Sequence, residues 1–427
     1  MIDLKRLRQD PEGSRAALLR RRDPSVAAVL DELLQLDRNR RELLVRVEAL
    51  KAERNKATEE VARRKRAGEP AEALMDTLRS SGDEVRSLEA NLREIDAGLE
   101  RHAMALPNFV LPDVPDGDAT ANRVLRTWGD APSFDFVARP HWELGAELGI
   151  LDLPTGARIT GSGFPLFRGL GARLIRALAS FMLDLHTREH GYVEVAPPFL
   201  VNRASLLGTG QLPKFEEDLY LAAADDLFLV PTAEVPLTNV YRDEILDASA
   251  LPQGLVAFTP CWRREAGAHG KDTRGLIRVH QFDKVELVRF SRPEESSAEH
   301  ERLTGHAEAV LQRLGIPYRV VALAAGDTGF ASAKTYDLEV WAAGVGAWLE
   351  ASSSSVFTDF QARRANIRYR PAPKAKPEFV HTLNASGVAF PRTIIALLEN
   401  NQAADGSVRV PEALVPYLGV DRLTPSA

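Results

Sequence analysis

Residues 259–287 read TPCWRREAGAHGKDTRGLIRVHQFDKVEL. The stretch opens as a short apolar run, passes through a glycine-punctuated charged loop and returns as an alternating strand pattern, as a β-hairpin does. Arg263, Arg264, Lys271, Arg274, Arg278 and Lys284 crowd it, with Glu265, Asp272, Asp283 and Glu286 among them. Cationic side chains hold phosphates, and carboxylates hold ammonium groups or metal ions. The hairpin therefore suits a ligand such as ATP together with an amino acid. A solvated hairpin with surface ion pairs, each worth little, fits the composition equally well.

The whole chain sets bounds around this hairpin. Its 427 residues suffice for two or three domains, and 44% hydrophobic with 27% charged residues is the balance of a globular protein with one charge-rich part. A net charge of −6 argues against a generally basic nucleic-acid binder but leaves room for a local basic face. The single cysteine, Cys261, excludes an internal disulfide and a cysteine zinc cluster, and the nine histidines show no HExxH spacing. The opening MIDLKRLRQDPEG is charged from the third residue, and no apolar run reaches the length of a membrane span. The expected location is cytoplasmic, with no membrane partner.

Upstream of the hairpin lie two heptad seams. Val29, Leu33, Leu36, Arg40, Leu43, Val47, Leu50, Arg54, Ala57 and Val61 are spaced alternately four and three apart. Leu74, Leu78, Ser81, Val85, Leu88, Leu92, Ile95, Leu99, His102 and Leu106 repeat the spacing. Ala67-Gly68-Glu69-Pro70 separates them as a turn. The pattern predicts an antiparallel coiled-coil hairpin over residues 26–106, each helix roughly 50 Å long at about 1.5 Å per residue. Arg40, Arg54, Ser81 and His102 at seam positions read as stem-packing or register-fixing residues. The first helix is basic, ending in Arg63-Arg64-Lys65-Arg66, and the second is mostly acidic. The charges suit both zipping the helices together and tracking a phosphate backbone. Alone, such an arm fits dimerisation as well as RNA.

A proline-punctuated linker, PNFVLPDVPDGD, leaves the arm. Beyond it, helical runs at 167–191, 294–314 and 391–402 stand among a longer succession of strand-like runs. The predicted fold class is α+β, an antiparallel sheet flanked by helices. The predicted domains are 1–110, carrying the arm, and 111–427.

Read together, these segments resemble a known family. Arg263-Arg264-Glu265, the loop through GKDTRG and the strand IRVHQFDKVE are similar to motif 2 of class II aminoacyl-tRNA synthetases, in the form of bacterial-type seryl-tRNA synthetases. HGYVEVAPPFLV resembles motif 1, with Pro198 at the position that lies in the family's dimer interface. Thr232-Ala233-Glu234 resembles the TAE segment, Glu350-Ala351-Ser352-Ser353 the ExSS segment, and Asn384-Ala385-Ser386-Gly387 with Pro391-Arg392-Thr393 motif 3. The order along the chain is the family's, arm included.

The resemblance implies a homodimeric ligase with a class II antiparallel sheet and an arm that grips tRNA(Ser) across subunits. Whether tRNA(Sec) is a second acceptor stays open. Arg263 and Arg392 would be catalytic, Arg263 on the α-phosphate and the serine carboxylate and Arg392 on the γ-phosphate, at a helix start that favours anions. L-serine would meet Thr232, Ala233, Glu234, Arg263, Glu286, Asn384 and Ser386. ATP would meet Arg263, Arg264, Glu265, Val279, Phe282, Glu350, Ala351, Ser352, Ser353 and Arg392, with adenine stacked on Phe282. Glu350 and Ser353 would hold Mg²⁺, a hard ion suited to their oxygens. Arg274, Arg63, Arg64 and Lys65 would contact tRNA. Without the resemblance, Thr-Ala-Glu reads as a helix cap, the serine run as a polar loop, and Phe282 as core.

Four positions depart from the family's pattern: Arg264, Ala385, Pro391 and Asn401. Pro391 is tolerable at a helix start, and Ala385 requires an unstrained φ. None removes a catalytic side chain. They leave room for a paralogue that keeps adenylation but serves antibiotic resistance, an antibiotic pathway or a non-tRNA acceptor. A non-catalytic pseudo-synthetase would be expected to lack the motif arginines or Glu350, and all are present.

Overall fold

The two seams fold as a helical hairpin in the computed structural model, which describes residues 1–266 and 273–425. Lys271 and Asp272 of the motif 2 loop lie outside the described residues. Helix α1 spans Ser25–Ala67 and α2 spans Glu72–Ala105. Gly68 ends α1 at φ +73°, its N–H donating to the Arg64 and Lys65 carbonyls, so the turn uses the backbone freedom that glycine supplies. Leu33, Val47 and Val61 of α1 and Val85, Leu92 and Leu99 of α2 are buried along the seams.

Much of the basic character of α1 is spent within the hairpin. Arg40 pairs with Asp96 at 2.5 Å, Arg46 with Glu84 at 2.5 Å and Lys51 with Glu89 at 2.7 Å. Each pair is partly exposed and contributes little energy, but together they suit one register of the helices. His102, a seam residue, reaches Glu32 on the other helix at 2.7 Å. Arg54, the third seam cation, is exposed and makes no such cross-helix pair among the described residues.

The chain divides into two units, residues 2–19 with 23–107, and residues 1, 20–22 and 108–427. The larger unit is built on an eight-stranded sheet. Its strands are β1 (Arg123–Trp128), β2 (Val193–Glu194), β3 (Gln253–Trp262), β4 (Gln281–Ser291), β5 (Tyr318–Ala322), β6 (Lys334–Ala342), β7 (Ala347–Thr358) and β8 (His381–Ala389), in the order β1-β5-β6-β7-β8-β4-β3-β2. Every neighbouring pair is antiparallel except β2 with β3. Helices α3 (Leu170–Arg188), α4 (Ser296–Arg313) and α5 (Phe390–Asn400) contribute Leu178, Leu303, Ile395 and their neighbours to the main core with Val256, Leu287 and Leu338 of the sheet.

The run YVEVAPPFLV pairs at Val193–Glu194 in β2 and again at Leu200 and Val201 in a separate three-stranded sheet, interrupted at Pro197 and Pro198, which have no N–H to continue a ladder. One segment differs from its sequence reading. The serine run, which reads as a loop, is the central strand β7. Its hydroxyls are satisfied across the sheet and against α4: Ser352 on the Ser386 carbonyl at 2.5 Å, Ser354 with Thr304 at 2.9 Å and Ser355 with Thr335 at 2.8 Å. Partnered in this way, buried hydroxyls carry no desolvation penalty that would exclude a strand.

Candidate active site

A cavity of about 640 Å³ opens over the centre of this sheet. Strand β4 supplies Phe282, Lys284 and Glu286, which alternate onto one face. Its partner β8 places Ser386 directly opposite Glu286, with Asn384 two residues along on the same face. Asn384 Nδ2 donates to Glu286 Oε1 at 3.0 Å. Lys284 is buried, ion-paired with Glu286, and donates to Thr232 Oγ1 at 2.9 Å. Phe282, Lys284, Asn384, Ser386 and Thr232 line the cavity, and Glu286 lies fully buried behind the Lys284 head.

Glu234 also borders the cavity. Burial, with Glu286 nearby, pushes its carboxyl up to about 7, against the pull of Gln361, Lys284 and Arg263. Burial likewise raises Glu286 above the usual carboxylate range, opposed by Lys284. The helix-cap reading of Thr232 has its share, since Thr232 Oγ1 accepts the Glu234 N–H at 3.2 Å.

Arg263 and Arg392 line the same cavity. The Arg263 guanidinium lies 5.3 Å from the Phe282 ring centre, and its Nε donates to the Pro231 carbonyl at 3.2 Å. Arg392 stands in the first turn of α5, where Pro391 costs no hydrogen bond, and Nη1 donates to the Glu350 carbonyl at 2.7 Å. Ala385 is fully buried in β8 without positive φ, so it meets the requirement its glycine-like position set.

In a regular strand Glu350 and Ser353 would point to opposite faces. The register between β6 and β7 skips Ala351, pairing Leu338 with Ser352 and Glu339 with Glu350. This bulge turns Glu350 and Ser353 to the same side, and both line the cavity. Asp337 stands opposite Ser353. Burial and the nearby Glu350 hold its carboxyl well above the usual range, and its Oδ1 has no hydrogen-bond partner among the described residues. Oxygen donors beside a buried carboxyl with one unpartnered oxygen fit a hard divalent cation.

The remaining expected residues fall as follows. Glu265 and Val279 line the cavity, Glu265 ion-paired with Arg278. Alternation puts Val279 and Phe282 on opposite faces, yet both reach the cavity because the ladder of β4 begins only at Gln281. Ala351 lines the cavity, whereas Ala233 is wholly buried and Ser352 turns its hydroxyl to the Ser386 carbonyl. Arg264 is exposed, its N–H donating to the Asp218 carbonyl. Arg274 lies over the Trp142 ring at 5.1 Å. Arg63 and Arg64, in the other unit, both bond Glu60, at 2.7 and 2.8 Å, and Lys65 is exposed. Sequence reasoning missed Lys284 as a cavity residue, and also Gln211, Phe330 and the loops that carry them. The glycines at 208 and 210 beside Pro213 mark the first loop as a special turn but give no hint of a ligand.

With this geometry in view, comparison with known proteins decides the family. Residues 1–110 match the seryl-tRNA synthetase N-terminal domain, and residues 215–401 match the tRNA synthetase class II core domain (G, H, P, S and T). A serine–tRNA ligase of Gemmatimonas aurantiaca is 58% identical over 98% of this chain and 99% of its own length. The chain belongs to the seryl-tRNA synthetase family. The relative from Carboxydothermus hydrogenoformans, also a serine–tRNA ligase, is 54% identical over 99% of both chains. The crystal structure of seryl-tRNA synthetase from Pyrococcus horikoshii complexed with ATP superimposes with a TM-score of 0.96 at 38% identity, covering 100% of each chain. Membership accounts for the α+β sheet with its helical hairpin. Among the described residues no helix is long and apolar enough to cross a membrane.

Proposed function

We infer that this chain is a serine–tRNA ligase. It joins the carboxylate of L-serine to the α-phosphate of ATP, releasing pyrophosphate, and passes the seryl group from the adenylate to the 3′ end of tRNA(Ser). The observation that carries this reading is one cavity lined by Arg263, Arg392, Glu234 and Ser386 in a chain so similar to serine–tRNA ligases from end to end.

The serine carboxylate is itself the nucleophile, so the first step needs no protein base. Arg263 orients that carboxylate against the α-phosphate and stabilises the charge of the pentacovalent transition state. Arg392 holds the γ-phosphate, and Phe282 stacks with adenine. Glu234 receives the serine ammonium. Glu286, with Asn384 and Ser386, receives the hydroxyl, so alanine would leave a buried polar group unpaired and be rejected. Glu350 and Ser353 would hold Mg²⁺, which when bound neutralises phosphate charge.

The domain division at 110/111 assigns tRNA gripping to the hairpin and chemistry to the remainder. Exposed Val193, Phe199 and Leu200 flank Pro198 and support a homodimer through this surface, with each arm serving the partner's tRNA. A cytoplasmic location follows from that task.

Serine-dependent pyrophosphate exchange and charging of purified tRNA(Ser) test the reading together. Both are expected. Exchange without charging would favour a paralogue with another acceptor, and neither would overturn the assignment. Arg263→Ala should abolish exchange, and Arg263→Lys should not restore it, because an ammonium cannot reproduce the planar fork.

A further inference from the structure

Gln361 is fully buried in the short helix Phe360–Ala365, outside every segment that carries the family resemblance. Its Nε2 donates to Glu234 Oε1 at 2.6 Å and to the Thr209 carbonyl at 3.1 Å. Its Oε1 accepts from Thr382 Oγ1 at 2.7 Å. A carbonyl and a carboxylate both face one end of the amide. Only the NH₂ can satisfy them, so the amide cannot turn over without losing two bonds. Thr382, at the start of β8, holds the other end.

We propose that Gln361 is a positioning residue for serine: its fixed amide presents a donor to Glu234, keeping that carboxylate ionised and aimed for the substrate's ammonium group. The inference rests on the reading of Glu234 given above. Glu234 sits in a buried place where its proton is held to about 7. The charged groups facing it are Glu286, which opposes ionisation, and Lys284 and Arg263, which favour it. Lys284 is already engaged by Glu286 and Thr232. The amide is therefore the uncharged contact that favours the anion without competing for an anionic ligand. A lysine there would neutralise Glu234 and displace the substrate's ammonium.

The test is the pH profile of kcat/KM for serine in exchange, measured on the full-length enzyme. A donor to the charged form lowers a carboxyl pKa, so its loss raises it. Gln361→Met, of similar length and without a donor, should move the acid limb to higher pH by about one unit and raise the serine KM about fivefold near neutrality, with the ATP KM unchanged. Thr382→Val leaves both partners in place and should move the limb in the same direction by less. Glu234→Gln separates the two readings. If it leaves the serine KM unaltered, the ammonium role of Glu234 falls. If it raises the KM but neither Gln361→Met nor Thr382→Val moves the limb, the role of Gln361 falls. Should Gln361→Met fail to fold, Thr382→Val decides.

Discussion

Arg392 Nη1 lies 2.7 Å from the Glu350 carbonyl oxygen and 3.3 Å from its carboxylate, tying the start of α5 to the bulged strand β7. The arginine proposed for the γ-phosphate and the carboxylate proposed for Mg²⁺ are thus neighbours before any ligand arrives. Arg392→Ala should remove one phosphate contact and also leave Glu350 without its guanidinium partner. Pyrophosphate exchange should fall on the order of 100-fold or more, as for loss of a transition-state charge stabiliser. Glu350→Gln keeps the bond from Arg392 to the carbonyl but should weaken divalent binding, seen as a higher Mg²⁺ requirement at saturating ATP. If the two variants had the same Mg²⁺ requirement as the parent, Glu350 would have no metal role.

Lys284 gives a stability prediction. Its ammonium is buried between Glu286 and Thr232, and Glu286 has no exposure. Removing one partner of a buried pair strands the other charge, at a cost of about 3–5 kcal/mol. Lys284→Met should therefore unfold at distinctly lower urea. Glu286 takes a proton more readily than an exposed carboxyl, because burial raises its pKa. Protonation relieves the stranded charge, so the deficit should be larger at pH 8 than at pH 5.5. A deficit independent of pH would mean that lost packing, rather than charge, is responsible.

The heptad spacing made the hairpin legible, because a four-three alternation sustained over both helices has few other solutions. The arginines proposed to be catalytic were a different matter. Charge crowding around Arg263 pointed to phosphates, and the family resemblance gave Arg263 the α-phosphate but still counted Arg264 among the ATP contacts, whereas Arg263 lines the cavity and Arg264 is exposed. Strand β7 was hidden because Ser352, Ser354 and Ser355 look like loop residues until their cross-sheet partners are known. Glu350 and Ser353 share a face only through the bulge at Ala351, and no local pattern announces a register shift. Gln361 was invisible for the same reason, since its partners lie 127, 152 and 21 residues away in sequence.

Acid should weaken the fold through buried histidines. Burial holds His300 down to about 4, partly offset by its bond to the Ser354 carbonyl. The unfolded chain takes up this proton near 6.5, the folded chain only near 4. The stability that His300 contributes is therefore fully present above about 6.5 and is lost as pH falls toward 4. Glu234 and Asp283, raised to about 7 and about 6, run the opposite way over much of this range. The informative quantity is thus the difference between parent and His300→Gln, which can keep the bond to Ser354. That difference in unfolding free energy should shift by about 2 kcal/mol between pH 7 and pH 5. A constant difference would mean that His300 does not titrate on unfolding.

The hairpin should be separable from the first chemical step. At its base His102 Nε2 meets Glu32 Oε2 at 2.7 Å, so deleting residues 30–100 leaves two chain ends side by side that a short glycine turn can join. The residues that line the cavity belong to the larger unit. Serine-dependent pyrophosphate exchange should stay within a few-fold of the parent, whereas charging of tRNA(Ser) should be lost, because the phosphate contacts that supply most of the affinity go with the arm. Charge reversals then locate the grip. Arg46, Arg63 and Arg64 are held by Glu84 and Glu60, so Arg46→Glu should act mainly on hairpin stability. Lys65→Glu, at an exposed position near the tip, should raise the KM for tRNA and flatten its salt dependence while leaving helix content unchanged. Undiminished charging by the deletion variant would assign the arm to some task other than holding RNA.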